Sequence, residues 1–166
     1  MLITLGQPKL KVEPFIHMTN KTKSTFLKEL NKRFGYNLDT KIVALNKKEI
    51  FLSFMPLVKP LTPIMDILHF YAGKLPIALG TGGTRDVTDQ LIKALDIAQY
   101  VDVIITADDV KRGKPDPETF IKAAELLNVP AQYCQVFEDG ELGLQAGKSA
   151  GMIVTDVRPI LKVAVN

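Results

Sequence analysis

The spacing of hydrophobic positions changes near residue 60. Between about residues 22 and 54, Phe26, Leu27, Leu30 and Phe34 recur at helical intervals with lysines between them. Gly35 follows where a helix-terminating glycine belongs. Asp39-Thr40 is placed to cap a second helix carrying Ile42, Leu45, Ile50 and Phe54. Pro56, Pro60 and Pro63 break the pattern that follows. The expectation is a helical hairpin that ends in a proline-punctuated linker.

Beyond the linker, short apolar runs alternate with amphipathic stretches. Helices are predicted at about 63–72, 84–96, 117–128 and 140–150. Each leads into a short run: Pro76-Ile77-Ala78-Leu79-Gly80, Val101-Asp102-Val103-Ile104-Ile105, Cys134-Gln135-Val136-Phe137 and Met152-Ile153-Val154-Thr155. Helix–strand alternation repeated four times predicts an α/β fold, a parallel sheet with helices on both faces. In such sheets ligands bind beyond the C-terminal ends of the strands. The residues just after each strand are therefore the candidates for chemistry.

Composition adds limits. The chain has 166 residues, 46% of them apolar and 23% charged, ordinary values for a globular protein. One cysteine, Cys134, allows no internal disulfide. No window approaches 18 consecutive apolar residues, and Met1-Leu2-Ile3-Thr4-Leu5 is too short for a signal-peptide core. The expectation is a cytoplasmic protein without a membrane partner. Net charge is only +3, but residues 1–60 carry 11 Lys/Arg against 4 Asp/Glu. The plain reading is a solvated basic helical face; the sharper one is a basic lid over an anionic substrate. Nucleic acid is not expected as a partner, because aromatic ladders, zinc-finger spacing and arginine-rich runs are missing.

Three strand ends carry candidate chemistry. After the first comes Gly80-Thr81-Gly82-Gly83-Thr84, a glycine-rich turn running into a helix. Such a turn is either an anion cradle or an ordinary capped turn. After the second comes Gly113-Lys114-Pro115-Asp116-Pro117, where the prolines fix the loop and start the next helix. Lys114 is either a surface lysine or a point charge for phosphate. After the third comes Glu138-Asp139-Gly140, either a helix-terminal acidic pair or an oxygen site suited to Mg²⁺. Together they supply anion donors, a cation and a metal site on one sheet edge, the parts that phosphate chemistry needs.

These residues resemble the haloacid dehalogenase-like hydrolases, in their β-phosphoglucomutase and sugar-phosphate phosphatase branch. Gly80-Thr81-Gly82 looks like the family's second motif and Lys114-Pro115-Asp116-Pro117 like its third. Val136-Phe137-Glu138-Asp139, with Gly143 and Ala146, looks like its fourth, and the likeness runs through Ala150-Gly151-Met152. The resemblance implies a Rossmannoid core at 59–166 and a partial helical cap at 1–58. It implies that Thr81 and Lys114 are catalytic, that Gly82, Gly83 and Thr84 bind substrate, and that Glu138 and Asp139 hold Mg²⁺. Lys21, in a segment similar to the family's specificity loop, would meet the distal end of the substrate. The implied reaction is transfer of a phosphoryl group from a small sugar phosphate through an aspartyl-phosphate.

The family's first motif, a strand ending in D-x-D-G-[ST], is absent, and no D-x-D occurs anywhere in the chain. Residues 1–20 read like the tail of the first cap helix, closed by Gly6; Leu2-Ile3-Thr4-Leu5 could substitute as a short strand, but its pattern fits a helix end equally well and it carries no aspartate, so the central first strand is expected to be missing. The expectation is an N-terminally truncated or inactive phosphatase or phosphomutase. The alternative is a non-catalytic phosphate-binding or interaction module.

Overall fold

The computed structural model describes Leu2–Ile3 and residues 23–163, with side chains from 27 to 161. Its residues divide into two compact units, one of Met1–Gly6 with Leu57–Asn166 and the other of Gln7–Pro56.

In the smaller unit, α1 (Lys23–Phe34) and α2 (Thr40–Ser53) form the expected hairpin. Gly35 takes a φ of +68°, the left-handed value that ends α1 without steric cost. The Asp39 carboxylate accepts from the Lys41 and Ile42 amides and caps α2. The Asn31 side chain bonds both the amide and the carbonyl of Leu38, which closes the connection.

The larger unit is a five-stranded parallel sheet. Its strands are β1 (Leu2–Ile3), β2 (Ala78–Gly80), β3 (Val103–Ile105), β4 (Gln135–Glu138) and β5 (Ile153–Asp156), in the order β3-β2-β1-β4-β5. The helices are α3 (Thr62–Tyr71), α4 (Arg85–Ala94), α5 (Glu118–Leu126), α6 (Glu141–Ser149) and α7 (Arg158–Val163). Four of the five match the sequence expectation to within a turn; α7 was not expected.

Strand alternation separates two cores. Ala78 joins Phe120, Ala123, Ala124 and Ala146 beneath α5 and α6. Ile77 and Leu79 point the other way, to Ile64, Leu68 and Ile92 of α3 and α4. Gly80 has a specific packing role, since a Cβ there would stand 3.1–3.2 Å from Thr119 and Phe120. Glycine lets α5 lie close against the end of β2.

The expectation of a helix tail over residues 1–20 is corrected at Leu2–Ile3; the cap at Gly6 lies outside the described residues. Leu2–Ile3 is not a helix tail but the middle strand, with Leu2 level with both Ala78 and Val136 and Ile3 with Phe137. The physical reason is hydrogen bonding. Without it β2 and β4 would face each other with unpaired amides and carbonyls in the centre of the sheet. The strand order reverses direction at β1 and β4, and that switch point is where such sheets open a ligand crevice.

Phe120 and Leu126 lie on the same helix, fully buried and 60% exposed respectively. Phe120→Ala is expected to cost about 3–5 kcal/mol in urea denaturation. Leu126→Ala is expected to stay within about 0.5 kcal/mol of wild type.

Candidate phosphate site at the sheet edge

The turn after β2 folds on itself. The Gly83 amide donates to Thr81 Oγ1 at 3.1 Å, which leaves the Thr81 hydroxyl proton for another acceptor. The Thr81 amide donates to the Ile105 carbonyl and the Ala107 amide to the Gly83 carbonyl, both across to the β3 side. Thr84 stands at the N-cap just before α4, and its hydroxyl donates to Asp86 at 2.7 Å. Its one proton is thus committed within the helix start.

Lys114 reaches the same edge from the loop after β3. Its ammonium donates to the Gly80 carbonyl at 3.2 Å and to Glu138 Oε2 at 2.8 Å. It also lies 4.6 Å from the centre of the Phe120 ring. The side chains are 13% and 4% exposed, a nearly dry ion pair. Burial pulls the Lys114 ammonium below the ordinary lysine range, while the Glu138 carboxylate opposes that pull. The other Glu138 oxygen accepts from the Asp139 and Gly140 amides.

Glu138 owes its place to Gly143. A Cβ on Gly143 would stand 2.0 Å from Glu138 Oε2, so the carboxylate occupies the space that a side chain would fill. This interlock was not expected from the sequence, although Gly143 was singled out as part of the motif.

Asp139 stands beside the pair. Its carboxyl is held above the ordinary range by burial and then by the neighbouring Glu138 charge. A hard cation at Asp139 would relieve both effects. Among the described residues no three His, Cys, Asp or Glu side chains gather into a metal cage. Mg²⁺ needs no such cage, because one or two carboxylates suffice when water and phosphate complete its shell. Asp139 offers one carboxylate of the kind that Mg²⁺ takes. Glu138 accepts from Lys114 and from two amides.

Of the expected site residues, the structure brings Lys114 to Glu138 and to the residue before Thr81. Lys21 lies outside the described residues. His69 is exposed and meets Tyr100 edge-on, 4.9 Å between ring centres. Two further residues emerge, Arg85 and Asp109. Arg85 Nη2 donates to the Ile104 carbonyl and to Asp109, and Asp109 also accepts from the Thr106 amide and hydroxyl. The Thr106-x-x-Asp109 spacing, a capping box, was the available signal.

The chain matches the family profile of haloacid dehalogenase-like hydrolases over residues 2–157. It is 44% identical over 138 residues to an uncharacterized protein of Haemophilus influenzae, covering 82% of this chain and 69% of that one. It is 37% identical over 131 residues to the fructose-1-phosphate phosphatase YqaB of Escherichia coli, covering 78% and 68%. In fold it is similar to the β-phosphoglucomutase of Clostridium difficile, with a TM-score of 0.69 at 22% identity, covering 84% and 66%. No helix among the described residues is long and apolar enough to cross a membrane.

Two outcomes test this geometry. Gly143→Ala is expected to lower stability by about 1–3 kcal/mol, and the loss is expected to vanish in a Glu138→Ala background. Denaturation of the four proteins of that cycle measures it. The second concerns Asp109, whose carboxyl is held low chiefly by the Thr106 hydroxyl, against partial desolvation, with help from the Thr106 amide and Arg85. A lowered carboxyl stabilises the fold above its unfolded pKa and loses that contribution as pH falls through the folded one. The stability gap between wild type and Asp109→Asn is expected to be full at neutral pH and to narrow below about pH 3.9.

Proposed function

Because this chain belongs to the haloacid dehalogenase-like hydrolases, we propose that its larger unit recognises the phosphate of a small phosphorylated carbohydrate. The carrying observation is the buried Lys114 ammonium, held against the Gly80 carbonyl one residue before Thr81. In this reading the Thr81 hydroxyl and the Gly82 region of the turn bind phosphoryl oxygens. Lys114 balances their charge. Thr84 keeps its hydroxyl on Asp86 at the N-cap of α4, and Gly83 orients Thr81. The sugar-phosphate class is suggested by relatives that include a fructose-1-phosphate phosphatase.

Asp139 would hold Mg²⁺, with Glu138 fixing Lys114 beside it. The ion, when bound, supplies positive charge against the phosphate. The reaction class is that of the phosphatases and phosphomutases of the family. The nucleophile pattern D-x-D is absent from the 166 residues. Glu138 is engaged by Lys114, and Asp139 is assigned to the cation. Residues 1–166 are therefore proposed to bind phosphate without turning it over, which unites the enzyme reading of the family with the binding-module reading of this chain.

Titration of the purified chain with inorganic phosphate tests this, alongside p-nitrophenyl phosphate hydrolysis. Phosphate is expected to bind, and more tightly with Mg²⁺. Lys114→Met is expected to weaken binding about tenfold or more. The Lys114→Met/Glu138→Gln variant removes both partners and keeps the comparison open if the unpaired glutamate unfolds the single variant. Absence of phosphate binding by wild type would overturn the reading. Mg²⁺-dependent hydrolysis that Lys114→Met abolishes would overturn the proposed lack of turnover.

A further inference from the structure

We propose that Asp109, with Arg85, is the positioning residue of this site: one carboxylate sets the place of both the Thr81 turn and the loop that delivers Lys114. The inference rests on the reading of that edge as a phosphate site, and it adds two residues that do not touch the ligand.

Asp109 Oδ2 is a meeting point. It accepts from the Thr106 amide and hydroxyl, both at 2.7 Å, and from Arg85 Nη2 at 2.5 Å. Thr106 is fully buried, so this oxygen holds a polar group that has left water entirely. The main chain of Asp109 is held as well, its carbonyl accepting from Lys122 Nζ of α5 at 2.6 Å. Side chain and backbone of one residue thus join the end of β3, the start of α4 and the body of α5.

The first consequence concerns the phosphate turn. Arg85 is the first residue of α4 and directly follows Thr81–Thr84. A lone arginine in that position invites the reading of a phosphate ligand. The geometry points elsewhere. Its Nη2 is spent on Asp109 and on the Ile104 carbonyl at 3.0 Å, and its Nη1 faces Asp89. Its amide donates to Asp108 Oδ2 at 2.7 Å. A carboxylate from another loop therefore occupies an amide in the first turn of α4, and the anion is left to the turn itself. With the Thr81 amide on Ile105 and the Ala107 amide on Gly83, both ends of the turn are tied to the β3 side.

The second consequence concerns Lys114. Residues 110–113 run from Asp109 to the lysine, and Glu118 closes this loop by accepting the Lys111 and Arg112 amides at 2.8 and 2.9 Å. The loop is anchored at its start by Asp109 and in its middle by Glu118. Loosening Asp109 frees the start of the lysine loop and the Arg85 tie together.

The test uses the full chain, inorganic phosphate as probe, and four variants: Asp109→Asn, Arg85→Ala, Arg85→Lys and the double Arg85→Ala/Asp109→Asn. Affinity is measured well below each variant's melting temperature, and the Gly82 and Gly83 amide NMR shifts are followed at saturating phosphate. Asp109→Asn and Arg85→Ala are each expected to weaken phosphate about tenfold, and the double variant by no more than the worse single one. Arg85→Lys keeps the charge but not the fork, and is expected to recover part of the affinity. The saturated Gly82 and Gly83 shifts are expected to move in the variants, which a merely stabilising role would leave in place. If wild type binds phosphate, Lys114→Met does not, and the folded Asp109 and Arg85 variants bind within about twofold of wild type, the inference falls while the site stands. If Asp109→Asn fails to fold, Arg85→Lys carries the same comparison. If wild type itself does not bind phosphate, the site reading fails first and takes the inference with it.

Discussion

The arrangement of this sheet edge depends on one buried ion pair. Lys114 comes from the loop after β3 and Glu138 from the end of β4, and each is almost sealed from water. Removing two charges from water costs several kcal/mol per ion, and only close geometry with further hydrogen bonds offsets that. Those conditions are met here by a 2.8 Å contact, a carbonyl on the lysine, two amides on the glutamate and an aromatic ring below the ammonium. The pair ties the end of β2, the loop after β3 and the end of β4 into one unit. None of the three can drift without stranding a charge.

Small residues make room for that pair. Gly143 yields its side-chain volume to the Glu138 carboxylate, and Gly80 lets Phe120 come up beneath Lys114. Absent Cβ atoms on two different elements thus allow a charged cluster to sit at the end of an otherwise apolar sheet. The Asp109 node does related work on the other flank, where three donors on one oxygen tie the start of α4 to the end of β3. The two flanks share the loop of residues 110–113, which starts at Asp109 and ends at Lys114.

Much of this was legible in the order of residues. Helix and strand periods depend on near neighbours, so the hairpin caps at Gly35 and Asp39 and four of the helices of the larger unit could be read directly. The strand-end rule for parallel sheets then brought Thr81, Lys114, Glu138 and Asp139 to one edge before any coordinates. The part played by Leu2–Ile3 was not legible. Two apolar residues suit a helix end as well as a strand, and only the unpaired edges of β2 and β4 decide between them.

The same division runs through the site. The sequence by itself determined which side chains reach the edge and that no D-x-D accompanies them, because these follow from local pattern and composition. Only the tertiary structure decided what those side chains do to one another. Glu138 could be read as a metal ligand, but it lies 24 residues from the lysine that engages it. Arg85 could be read as a ligand arginine until Asp109, also 24 residues on, turned it toward β3. Partners at such separations are chosen by strand order and by the closeness of packed loops, and neither quantity is carried by the pattern of any single segment.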